Sequence, residues 1–106
     1  NLEGVVDSFE LDSNFSIVET QIPEEYHDKT VKELDIKGEF NILILTTMNV
    51  SEGKNELGAP TERNTVQGIV HADTKLYKDD IMVLYGHNKD IRKLLDQHKK
   101  FKEAQN

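Results

Sequence analysis

Cysteine is absent from this 106-residue chain. A disulfide scaffold, a zinc–thiolate centre and a thiol nucleophile are thereby excluded. Long hydrophobic runs are absent too: the longest aliphatic stretch, Ile42 to Leu45, is far short of the ~20 residues a membrane helix needs. Positive charge is scarce, with 13 Lys and Arg against 20 Asp and Glu and a net charge of -7. Such a balance gives no basic face for nucleic acid and no attraction to an anionic membrane surface. The first ten residues lack the basic region of a signal peptide. The chain starts at Asn1 rather than Met, which is read as a piece of something longer. What is present, 36% hydrophobic and 31% charged residues, suits one small soluble domain, with the cytoplasm as its expected location.

The patterning predicts an α+β fold of order β-α-β-β-β-α: a four-stranded, mainly antiparallel sheet with two helices on one face. Residues 1–14, with Val5, Val6, Phe9 and Leu11, read as a connector packed on the domain. Residues 15–23 alternate, Phe15 and Ile17 on one side and Val18 and Ile22 on the other, and predict a covered strand ended by Pro23. Thr30 and Glu33 have capping-box spacing for a short helix stopped at Gly38. Residues 41–49 predict a central strand covered on both faces, and 50–64 a long loop or irregular hairpin. Further strands are predicted at 65–71 and 81–85. Asn88 is expected to cap a last helix whose stripe is Ile91, Leu94, Leu95 and His98. The domain proper is then 15–97, with 98–106 a helical or frayed tail.

The chemistry-bearing residues show no catalytic pattern, so the chain reads as a non-enzyme. His27, His71, His87 and His98 lack metal-ligand spacing. The carboxylate pairs Glu24-Glu25 and Asp79-Asp80 fall in polar turns and are expected to be solvated. Neither a phosphate-binding loop nor a dinucleotide fingerprint is present; NAD or ATP would belong only to a nucleotide-binding domain upstream.

Several short motifs occur in a telling order. The run from Phe15 to Pro23 is followed by Lys29 to Ile36 (KTVKELDI), Asn41 to Leu45 (NILIL), Ala72 to Leu76 (ADTKL), Lys78 to Gly86 (KDDIMVLYG) and Asp90 to Leu94 (DIRKL). Together, from Phe15 to Leu95, they resemble TrkA-C domains, also called RCK C-terminal domains, the regulatory modules of potassium transport systems. The resemblance implies a cytosolic gating domain at the inner face of the cell membrane. It would act as a homodimer with a membrane-embedded potassium transporter or channel, or with another cation channel, antiporter or permease, without inserting in the membrane. It also implies cyclic di-AMP as a candidate ligand in the dimer cleft, with Lys37 at the family's basic position, Leu43 at its asparagine position and Asn41 beside them. Ile42 and Ile44 share one face of their strand and are the expected dimer contact, provided no helix covers that face.

Overall fold

The computed structural model describes residues 4–105; the remaining residues of the expected connector and tail lie outside them. Its strands are β1 (Val5–Glu10), β2 (Phe15–Gln21), β3 (Lys29–Thr30), β4 (Leu43–Lys54), β5 (Pro60–Val66), β6 (Lys75–Leu76) and β7 (Ile81–His87). Its helices are α1 (Val31–Leu34), α2 (Ile36–Phe40) and α3 (Asn88–Ala104), with a 3-10 turn at Glu24–Tyr26. The fold is α+β, and its main sheet is antiparallel throughout, in the order β1-β2-β7-β4-β5. β3 and β6 form a separate two-stranded ladder.

The sheet has five strands where four were predicted, because part of the expected connector folds as β1. The Asp12 carboxylate makes that possible: Oδ1 accepts from the backbone N–H groups of Asn14 and Phe15 at 2.8 and 2.9 Å, closing the turn into β2. These same bonds hold the Asp12 carboxyl below its ordinary range. The strand predicted at 65–71 lies earlier, at Pro60–Val66, because β4 runs on to Lys54 and hairpins directly into β5. At the hairpin tip Asn55 Oδ1 accepts from the N–H groups of Leu57 and Ala59, and Gly58 takes φ +78°. Past Val66, Gln67 still donates to the Thr47 carbonyl at 2.8 Å, and the chain then leaves the sheet.

The capping box is present: Thr30 Oγ1 accepts from the Glu33 N–H, and Glu33 Oε1 accepts from the Thr30 N–H, both at 3.1 Å. Gly38, however, does not stop the helix. Asp35 takes a left-handed conformation (φ 49°) that splits it into α1 and α2, and Asn41 (φ 59°) ends the second piece. Gly38 instead makes room, since a Cβ there would collide with the Asp35 carboxylate. At α3 the N-cap is His87 rather than Asn88: His87 Nδ1 accepts from the Lys89 N–H at 3.1 Å. Asn88 fastens the helix to the β1–β2 turn, accepting from Ser16 Oγ at 2.6 Å and donating to the Ser13 carbonyl at 3.3 Å.

One core joins the helices to a single sheet face. Val18 of β2, Met82 and Leu84 of β7 and Ile42 before β4 pack against Ile36, Ile91, Leu94 and Leu95, with Tyr26 and Leu76 closing the side. Burying each such side chain contributes roughly 1.5–3 kcal/mol. The buried polar residues are satisfied: Thr20 Oγ1 donates to the Gly4 carbonyl and Thr47 Oγ1 to Gln67 Oε1. Among the described residues no buried side-chain polar atom is left without a partner.

Candidate interaction surface

Residues directly opposite one another in a sheet share a face. Val18, Leu84 and Ile44 form one such row and turn toward the core. The next row is Phe9, Ile17, Tyr85 and Leu43, running across β1, β2, β7 and β4, and it faces the other way. Strands 15–23 and 41–49 were expected to be covered on both sides. In fact no described helix packs on this second face, and its apolar side chains meet solvent: Leu43 and Leu45 are 44% exposed, Phe9 49% and Phe15 37%. Phe15 stacks on Tyr85 with centroids 5.9 Å apart and meets His87 edge-on at 5.2 Å. A continuous aromatic and aliphatic band thus crosses four strands. It is bordered by two acids, since Asp7 stands directly opposite Glu19.

The residues singled out from the sequence fall around one end of this band. Ile42 is 1% exposed and Ile44 packs against the core, so the face holding them is the helix-covered one. The condition attached to that dimer contact does not hold; the apolar residues left free on this stretch are Leu43 and Leu45. Gly86 lets β7 press close here, because a Cβ at Gly86 would lie 3.1 Å from Ile42 Cγ1. Lys37 and Leu43 do come together, lining a recess of about 180 Å³ with Val70, His71 and Ala72. Asn41 is exposed at the end of α2, where its N–H bonds to the Lys37 carbonyl.

Other candidates are placed differently. Among the described residues no three His, Asp or Glu side chains converge as a metal site would require. Asp80 is partly buried, accepting from Asn49 Nδ2 at 3.4 Å, and burial raises its carboxyl above the ordinary value despite that contact. Glu25 is not a solvated turn residue. It meets His98, whose Nδ1 lies 2.9 and 2.8 Å from its two oxygens, with side chains only 16% and 21% exposed. Sequence reading missed Phe9, Phe15 and the half-buried Tyr85 as members of an uncovered face; the signal available was the apolar alternation on both sides of β2. No described helix is long and apolar enough to cross a membrane. No family model matches the chain, and no curated protein is similar to it.

Proposed function

We propose that this chain is a regulatory domain of the TrkA-C type that works by pairing with a second copy of itself through the uncovered sheet face. The observation that carries this reading is the uncovered row Phe9, Ile17, Tyr85 and Leu43, exposed at Phe9 and Leu43 and half-buried at Ile17 and Tyr85, an apolar band on a chain of net charge -7. An exposed apolar patch rimmed by polar residues marks an interaction site, and a two-fold contact lets one patch serve both partners. Rearrangement of that dimer would gate a membrane-embedded potassium transporter from the inner side of the membrane; the alternative is another cation channel, antiporter or permease.

The recess at Lys37 and Leu43 sets how a ligand could enter this scheme. At about 180 Å³ it is below the ~300 Å³ at which ligand pockets begin. A cyclic dinucleotide would therefore need two such recesses facing each other across the dimer. Lys37 supplies charge for a phosphate, whereas Leu43 offers no hydrogen bond. These residues favour a dimerisation domain whose response comes from a neighbouring domain over one with its own nucleotide. Any ligand shifts the dimer only through its differential affinity for two arrangements.

Sedimentation across a concentration series tests the dimer. Association that Leu43→Asp weakens by about tenfold or more, the effect expected of a charge buried in an interface, supports the reading; a strict monomer at the highest concentration overturns it. Calorimetric titration with cyclic di-AMP separates the two forms. Heat that disappears in Lys37→Ala would assign the ligand to this domain, and its absence would leave dimerisation alone.

A further inference from the structure

The main sheet ends in two edge strands, β1 and β5. β1 is a poor template for a further strand, since its register breaks between Val5 and Asp7 and it carries Asp7 and Glu10. β5 pairs with β4 without a break from Pro60 to Val66. The hydrogen bonds at the two ends of that ladder decide which backbone groups stay unpaired. The Asn55 N–H donates to the Ala59 carbonyl at 3.0 Å, and the Gln67 N–H to the Thr47 carbonyl at 2.8 Å. Opposed residues in an antiparallel ladder alternate between bonded and unbonded pairs. Counting inward from either end, Thr61, Arg63 and Thr65 therefore bond to β4. The N–H and C=O groups of Glu62, Asn64 and Val66 point the other way, where no described strand lies. Pro60, which has no N–H to offer, falls at an outward position, as an edge proline should.

We propose that this edge pairs with the same edge of a second copy, antiparallel and two-fold about Asn64, so that two sheets join into one. Charges and donors select that partner and that register. A two-fold axis between antiparallel strands sets one residue opposite its own copy. Centring on Glu62 or Arg63 would oppose two like charges, which destabilises a cross-strand pair. Centring on Thr61 would face Glu62 with the donorless Pro60. Centring on Thr65 would face Glu62 with Gly68, which lies beyond the strand with φ +87°. Centring on Asn64 pairs Glu62 with Val66 and Asn64 with Asn64, each pair exchanging both of its N–H···O=C bonds, and sets Arg63 opposite Thr65. The outward donors of β5 are thus symmetric about the centre that opposes no like charges. The contact also gives the mostly exposed β4–β5 hairpin the further strands that a two-stranded ribbon lacks. It uses neither Leu43 nor the uncovered band, so it is separate from the dimer proposed above; a chain making both contacts would assemble beyond a pair.

The full chain carrying Leu43→Asp, which silences the face contact, isolates the edge. Sedimentation of this variant across a concentration series should still show self-association. Adding Asn64→Pro removes the central donor from both copies and spares the ladder to β4, because that N–H points outward. It should weaken the association about tenfold or more, the loss expected for hydrogen bonds left unmade in an interface. Nitrogen-15 spectra of the Leu43→Asp chain read the same contact with the edge intact. As concentration rises, the amide protons of Glu62, Asn64 and Val66 should move downfield and saturate, while those of Arg63 and Thr65, already bonded to β4, move little. A strict monomer, association untouched by Asn64→Pro, or movement without that alternation would each overturn the proposal. Failure of the face contact reads differently: the unmutated chain would associate no better than Leu43→Asp, with the alternating edge signals unchanged.

Discussion

At the scale of single residues the fold leaves clear pH signatures. Burial, helped by the neighbouring Glu25 carboxylate, pushes the Tyr26 hydroxyl up from 10.0 to about 12. A group whose value rises on folding stabilises the native state fully below its unfolded value. Its contribution is lost as pH climbs through the folded one. Stability should therefore fall between pH 10 and 12, by on the order of 2 kcal/mol from this residue. Tyr26→Phe should remove most of that fall while changing stability little at pH 7, as chemical denaturation at each pH would show. The acid side runs in the opposite sense. The backbone and hydroxyl of Thr30 lower the Glu33 carboxyl, so its contribution is present above the ordinary carboxylate range and is lost as pH falls through the lowered value. Thr30→Ala should cost about 1 kcal/mol and flatten the acid limb of a melting-temperature profile.

Both halves of the capping box were legible because they lie three residues apart. The His98–Glu25 pair was not, because its members are 73 apart in sequence and only the packing of α3 on the 3-10 turn brings them together. His98 was correctly placed beside the apolar stripe, yet nothing local says what lies across from it.

Among the elements, the β4–β5 hairpin departs most from expectation, and for a physical reason. Beyond Met48, β4 pairs with β5 alone among the described residues, so the outer ribbon has no third described strand and little burial. Alternation of apolar and polar residues reports burial on one face, and an arm exposed on both faces carries none of it. The strands at Phe15–Gln21 and Ile81–His87 were readable because their sides differ in environment. A two-stranded ribbon is marginal in water. Amides of Val50, Ser51 and Asn64 should accordingly exchange hydrogen far faster than those of Val83 and Leu84 in β7, measurable by native-state exchange. Within the arm Glu52 stands directly opposite Glu62, an unfavourable cross-strand pair. Glu52→Lys replaces repulsion with attraction and should stabilise the chain by about 0.5 kcal/mol in thermal melts, an effect that salt should erode.

At the scale of the whole molecule the arm sets the shape. The radius of gyration is 14.5 Å, with extents of 45 × 32 × 32 Å, against about 13 Å for a compact chain of this length. The charge of -7 sits largely outside the apolar band, where Glu19 and Asp7 mark only one border. Two copies approaching through the band therefore repel through everything else. Added salt screens that repulsion, so self-association should strengthen between 50 mM and 500 mM salt, the opposite of an interface held by ion pairs. Sedimentation at the two salt concentrations checks the sign.

A cleft runs between the end of β2 and the last turns of α3. Gly4 and Gln105, the first and last described residues, both line it, so the described chain begins and ends on one side of the molecule. A short linker could join those ends, and new ones could be opened at the tip between Asn55 and Gly58, where few side chains are buried. Such a circular permutant should fold, because the cut falls in an exposed turn and the join stays on one side of the molecule. The same placement makes the domain a pendant: anything tethered beyond Gly4 or Gln105 would attach on one side, leaving the apolar sheet face and the arm free to turn toward a partner.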